Sequence, residues 1–209
     1  MTKLFKPSDE LIESCLLIRD THEPRTSVTD FTRWEDLEDI MSYFEGLNFS
    51  GGNIFYHERP FDVHTDLFDG IARTTVIIPL EVESDQKLII FDQSYTDKHY
   101  KGSVVWAANV EGEVGSPHCK MVYNRPYESK VEGLTNEACP IELTQDLPED
   151  PDFYFGLTGK SYDWIPGRGF IFDSANLHAT GKMSQGKYGL AMWFNNSVEE
   201  VYERLKNEN

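Results

Sequence analysis

His64 and Asp66 stand two positions apart in the run Phe61-Asp62-Val63-His64-Thr65-Asp66, and His178 lies far downstream. Side chains two apart on an extended segment point the same way, so this imidazole and this carboxylate can reach one ion. Two neutral imidazoles and one carboxylate on one face of a metal, with open positions opposite, are the ligand set of non-heme Fe(II) centres. His64, Asp66 and His178 are therefore the candidate ligands. Such a site keeps a net positive charge, which attracts a dianionic 2-oxo acid able to chelate through its ketone and near carboxylate. Burying the far end of that acid calls for a cation, because an unpaired carboxylate is costly to take out of water. Lys187 offers a compact point charge for this purpose, and a neighbouring hydroxyl would share the carboxylate. Tyr56 and Thr74 are the candidates for that hydroxyl, on alternation and proximity. His22, His57, His99 and His118 have no partner pattern and read as surface or packing residues, His57 lying near the expected cavity mouth.

Strands must carry these residues, and the apolar patterning supplies them. Strand-like segments are expected at Asn53 to His57, Thr74 to Leu80, Lys87 to Phe91, Phe153 to Leu157, Phe170 to Phe172 and Tyr188 to Phe194, separated by Gly, Pro and Asp turns. Ahead of them, Ser8 can cap a helix reaching about Arg19. Thr32 with Glu35 forms a capping-box pattern before the one-sided apolar set Trp34, Leu37, Ile40, Met41, Phe44 and Leu47. Gly51-Gly52 is expected to break that pattern. Ser197 with Glu200 opens a last helix to about position 207, with Val198, Val201, Tyr202 and Leu205 on one face. Strands at this spacing fit a jelly roll, mainly β with flanking helices. One domain over 1–209 suffices: N-terminal helices over about 8–47, a core over about 53–194 and a C-terminal helix. Between Gln93 and Asp152 the strand signals weaken, and a stretch of about this length between core strands is usually functional or mobile rather than idle. It contains Trp106, Arg125 and Tyr127, candidates to stack on or clamp an organic substrate.

The same residues resemble the 2-oxoglutarate and Fe(II)-dependent dioxygenases, in particular the prolyl 4-hydroxylase-like branch. The resemblance runs over about positions 53 to 194. It is carried by Phe61 before His64-Thr65-Asp66, Arg73 opening the next apolar strand, Pro166-Gly167 before Phe170 to Phe172, His178, and Lys187-Tyr188-Gly189 leading to Trp193-Phe194. It implies a double-stranded β-helix (cupin-like), with the larger sheet covered by the N-terminal helices and the metal inside the open end. His64, Asp66 and His178 would hold Fe(II). Lys187, at the family's spacing after the distal histidine, would bind the far carboxylate of 2-oxoglutarate; Lys182 falls too close to His178. The implied reaction uses O2 and 2-oxoglutarate, releases succinate and CO2, and hydroxylates an unactivated carbon of a prolyl, peptidyl or small-molecule substrate. Two departures stand out. Many relatives carry arginine where this chain has Lys187, and the position near Leu80, where several carry a tyrosine, has no donor. A non-enzymatic jelly-roll binding module would need no Lys187. A cupin-type metalloenzyme working without 2-oxoglutarate would usually carry more histidines, in a closer cluster.

Composition narrows the partners. With 36 acidic against 19 basic residues the chain carries a formal charge of -17, a field that disfavours nucleic acid. Cys15, Cys119 and Cys139 are widely spaced without a Cys-x-x-Cys pair, as expected of a reduced compartment. No apolar run is long enough to span a bilayer and no leader is evident, so a cytoplasmic protein with no membrane partner is expected.

Overall fold

The computed structural model describes residues 1–21, 28–30, 38–67, 72–82, 86–95, 104–106, 120–122, 125–126 and 131–206. The large sheet has six antiparallel strands: β1 (Lys3–Phe5), β2 (Val28–Asp30), β3 (Phe49–His57), β4 (Thr74–Val82), β11 (Gly169–Asp173) and β13 (Lys187–Phe194). They are ordered β1-β11-β4-β13-β3-β2. The smaller sheet is β10 (Gly159–Asp163), β5 (Lys87–Tyr95) and β12 (Asn176–Thr180), with β9 (Val131–Glu132) also on β5. His64 adds to its edge, exchanging backbone hydrogen bonds of 2.9 Å with His178 in both directions. From β3 onward the chain visits the large sheet, the His64 edge, then β4 large, β5 and β10 small, β11 large, β12 small and β13 large. Two antiparallel sheets built by such alternation are a double-stranded β-helix. Three further short strands, β6 (Val104–Trp106), β7 (Lys120–Val122) and β8 (Arg125–Pro126), pair among themselves.

Alternation along the strands makes three apolar layers. Phe55, Ile77, Leu88, Ile90, Phe170, Phe172 and Ala191 meet between the two sheets. On the outer face of the large sheet, Ile54, Val76, Ile78, Leu80, Leu190 and Met192 pack against Leu11, Cys15 and Ile18 of α1 (Asp9–Thr21). Ile40 of α2 (Glu38–Met41), Phe44, and Val201 and Leu205 of α4 (Val198–Leu205) complete that layer. The outer face of the smaller sheet is covered by Cys139, Leu143, Leu147, Tyr154 and Leu157. Leu143 belongs to the short helix α3 (Ile141–Thr144). Much of the second half of the expected insert is thus a structural cover. Leu80 faces the helices rather than the interior between the sheets.

Capping follows the sequence closely at two helices. Ser8 Oγ accepts from Leu11 N at 3.2 Å, and Ser197 with Glu200 forms the expected reciprocal box. The Thr32 and Glu35 pattern lies outside the described residues.

Two strand expectations are corrected. The helical pattern does end ahead of Gly51 and Gly52, at Phe44, but the strand expected from Asn53 already begins at Phe49 and takes in both glycines. A Cβ at Gly51 would crowd the Trp193 ring and one at Gly52 would collide with Met192 Sδ and Ala191 O, so the pair also serves close packing against β13. Phe153 to Leu157 is not a strand either: Pro151–Tyr154 form a 3-10 turn, with Asp150 accepting from Asp152 N, and the strand begins at Gly159. Proline at the start of a helical turn outweighs the β propensity of the aromatics.

Candidate metal centre

His64, Asp66 and His178 converge at one end of the interior between the sheets. One ligand atom from each lies within 4.8 Å of the others, a group that can hold a metal ion. The edge bridge between His64 and His178 brings the two imidazoles to a centroid distance of 4.1 Å. Asp66 is set by its own backbone N–H, which donates to Ser174 O at 3.0 Å. Its Oδ1 lies 3.5 Å from His64 Nε2 and its Oδ2 3.4 Å from His178 Nε2.

Tautomer and charge fit a metal. Backbone carbonyls occupy both Nδ1 atoms: His64 Nδ1 donates to Asp62 O at 2.7 Å and His178 Nδ1 to Asn176 O at 3.1 Å. Each Nε2 then faces the Asp66 carboxylate, where either a proton or a bound cation would hold the three groups together, and in the neutral rings it would offer its lone pair to that cation. Burial, then the charge of His178, pushes the His64 pKa down, partly opposed by Asp66. Burial alone would raise the Asp66 carboxyl, but the charges and hydrogen bonds of His178 and His64 hold it well below the usual carboxylate range. A chain of hydroxyls supports the carboxylate from behind. Thr75 Oγ1 donates to Asp66 Oδ2 at 3.1 Å, and with that proton spent it accepts from Ser174 Oγ at 2.9 Å.

Lys187 faces the same interior. Only 2 % of its surface is exposed, and burial lowers its pKa to about 7. Nζ donates to Thr180 Oγ1 at 3.0 Å and sits 3.8 Å from the ring centroid of Trp164. Thr180 is on β12, two residues and about 7 Å of extended chain from His178 on the same inner face. Gly189, next on the inner face of β13, makes room for the indole: a Cβ there would lie 2.8 Å from Trp164 Cζ2 and 2.5 Å from Phe55 Cζ.

The expected hydroxyl partners of Lys187 are not the ones the fold brings to it. Tyr56 projects to the opposite face of the large sheet, where its ring meets Tyr188 at 4.5 Å, because it alternates with the inward residues Phe55 and His57. Thr74 pairs with Phe194 at the far end of β13, and its Oγ1 donates to Asn196 O at 2.7 Å. Thr180 takes the place expected of them. Two-residue spacing from His178 was the available signal for it. Lys182 points elsewhere, donating to Gln145 O at 3.0 Å. Trp106 lies on β6 opposite Lys120 and Arg125 on β8 opposite Val122, while Tyr127 lies outside the described residues.

His57, read from sequence as ordinary, is part of the pocket wall. It pairs in register with Lys187, stacks on Phe61 at 5.2 Å and lies 4.6 Å from Phe55; Phe61 in turn meets His64 edge-on at 4.3 Å. Burial, then the charges of Lys187 and His64, lowers its pKa to about 3, so the ring is neutral. Trp164 and Thr75 were also missed, the first because nothing in its sequence context marks it and the second because one step of strand parity separates it from Thr74.

No family model matches the sequence, and no curated protein matches it. Among solved structures, the chain is similar to a Pseudomonas putida prolyl-4-hydroxylase at 10% identity, covering 92% of this chain and 91% of that one with a TM-score of 0.43. It is also similar to the non-heme alpha-ketoglutarate dependent epimerase SnoN from nogalamycin biosynthesis, at 8% identity, 92% and 77% coverage and a TM-score of 0.46. A third is a Trichoplax adhaerens prolyl hydroxylase solved with a hypoxia inducible factor peptide fragment, at 10% identity, 97% and 86% coverage and a TM-score of 0.36.

Proposed function

We propose that the protein is a 2-oxoglutarate-dependent non-heme Fe(II) oxygenase that hydroxylates an unactivated carbon of a prolyl, peptidyl or small-molecule substrate. The observation that carries this reading is the pairing of a three-residue ligand set with a buried ammonium in one pocket. His64, Asp66 and His178 would hold the iron. The metal, O2 and 2-oxoglutarate would together supply the oxidising chemistry, with release of succinate and CO2.

The chain's own residues bind, orient and shield. The carbonyls of Asp62 and Asn176 keep both ligand imidazoles in the tautomer that presents Nε2. Thr75 steadies the carboxylate. Lys187 and Thr180 would receive the far carboxylate of a short diacid whose other end lies at the ligand set. Phe55, Phe170 and Phe172 keep the surrounding interior apolar, which strengthens that charge pairing. A non-enzymatic binding module would have no use for an ammonium buried at this cost. A metalloenzyme without a 2-oxo acid would leave it equally unexplained. Candidate substrates include peptides, through the surface around the insert strands that carry Trp106 and Arg125.

Calorimetry on protein loaded with an inert divalent metal tests the reading directly. Binding of 2-oxoglutarate should depend on the metal and weaken at least about tenfold in Lys187→Ala, about 1.4 kcal/mol, while metal affinity survives. Metal-loaded protein that does not bind 2-oxoglutarate would overturn the proposal. Succinate release stimulated by candidate prolyl peptides or small metabolites would then identify the substrate class.

A further inference from the structure

Trp164 carries an indole N–H with no assigned use. The residue directly follows β10, and its backbone N–H donates to Gln86 O at 2.9 Å, which anchors the main chain. The side chain is 3 % exposed, in tilted contact with Phe55 at 6.1 Å between ring centroids and roofed by the Lys187 ammonium. Nε1 is buried and has no hydrogen-bond partner among the described residues. Indole nitrogen is donor only, so what satisfies it is an acceptor, and a ligand oxygen beside Lys187 would supply one.

The surrounding groups say what kind of acceptor. Lys187 Nζ spends one of its three N–H bonds on Thr180 Oγ1, and that hydroxyl, having accepted, keeps its own proton to give. Two ammonium N–H bonds, one hydroxyl and one indole N–H are thus left as donors around a single small space. A carboxylate, with two oxygens and several lone pairs and nothing to donate, matches that set. Gly189 is what allows the indole to reach in, since any side chain there would collide with it.

We propose that the indole N–H of Trp164 is a further donor to the distal carboxylate of the 2-oxo acid, acting beside Lys187 and selecting a dicarboxylate over a monocarboxylate. The inference rests on the reading of this pocket as a 2-oxo-acid site. It assigns Trp164 a binding role that neither the aromatic packing nor the cation–π contact requires.

The test uses the full chain loaded with Zn(II) and two probes, 2-oxoglutarate and 2-oxobutanoate, the second lacking the distal carboxylate. Trp164→Phe keeps an aromatic face under the ammonium and removes the N–H. It should raise the dissociation constant for 2-oxoglutarate about tenfold, as loss of a hydrogen bond to a charged group does, and leave that for 2-oxobutanoate and for Zn(II) unchanged. Incorporating 3-benzothienylalanine at position 164 preserves the ring shape without the N–H and should reproduce the result even if phenylalanine loosens the packing. In the wild-type protein the indole proton resonance of Trp164 should move downfield with 2-oxoglutarate and stay in place with 2-oxobutanoate. Equal losses for both probes, or an unmoved resonance with 2-oxoglutarate affinity intact in both variants, would remove Trp164 from the site while a Lys187→Ala defect left the functional reading standing. Wild-type protein that binds neither probe would overturn both.

Discussion

Lys187 is held against its own solvation, and this makes its protonation the most informative quantity at the residue scale. Burial brings its pKa from 10.5 to about 7, so between those values the unfolded chain holds a proton that the folded, ligand-free protein does not. Stability therefore rises with pH across that window, and the penalty is fully present below about pH 7. Lys187→Met should raise the melting temperature of the ligand-free protein at pH 7, by about 2–4 °C for each kcal/mol recovered in a chain of this size, and by less at pH 9. Thermal melts at the two pH values check this; equal destabilisation at both would show that the ammonium contributes to packing instead. Ligand binding depends on pH in the opposite sense. A carboxylate selects the ammonium form, so with metal already loaded the 2-oxoglutarate dissociation constant should grow as pH rises above about 7. Calorimetry at pH 8 in buffers of different ionisation enthalpy should find proton uptake on binding, and its absence would count against Lys187 as the anchor. Among the metal ligands, His178→Ala should abolish or sharply weaken metal binding without unfolding the chain; wild-type metal affinity in that variant would remove the histidine from the centre.

At the scale of elements, three strands meet where the site is built. β12 brings His178 and Thr180 to the inner face, β13 brings Lys187, and the start of β4 brings Thr75 behind Asp66. Thr75 and Ser174 are completely buried, and their hydroxyl chain ends on the Asp66 carboxylate. Thr75→Val keeps the shape and removes the donor, so metal affinity should fall about tenfold, the lower end of what outer partners of metal ligands contribute. A metal titration followed by competition with a chelator measures it. An unchanged affinity would mean that the backbone bond from Asp66 N to Ser174 O suffices to orient the ligand. The sheet parity that makes Thr75 rather than Thr74 the partner is also what sends Tyr56 to the helix side, and a one-residue step in register reverses both assignments.

For the whole molecule, two packed sheets bring the candidate metal ligands to one end of the interior and close the outer faces with separate layers. The α1, α2 and α4 layer covers the large sheet, and residues 139–157 cover much of the smaller one. The later part of the insert is thus structural cover, and the β6 to β8 strands are the portion we propose for substrate contact. Substitutions of Trp106 or Arg125 should change turnover of the primary substrate more than uncoupled consumption of 2-oxoglutarate. Parallel measurement of succinate and hydroxylated product decides, and equal effects on both would make those strands structural as well. No described helix is long and apolar enough to cross a membrane.

What could be read without coordinates was whatever depends on residue type and short spacing. His64-Thr65-Asp66 names two ligands by the two-residue repeat of extended chain, and Ser8 and Ser197 announce helix starts through local side-chain to backbone bonds. The strands of β4, β5 and β13 declare themselves by apolar and β-branched content, and with the capped helices they suffice for a jelly roll. Residue chemistry made His178 and Lys187 candidates, but their assignment gained its force from resemblance to a family spacing, since nothing local ties them to His64. The tertiary structure alone decided the rest. Gly51 and Gly52 serve a strand because β13 approaches them closely, which no local rule contains. Thr180, Trp164 and His57 reach the pocket because strand pairing across long sequence distances sets which face each side chain occupies, and that register is a property of two partners rather than of either sequence.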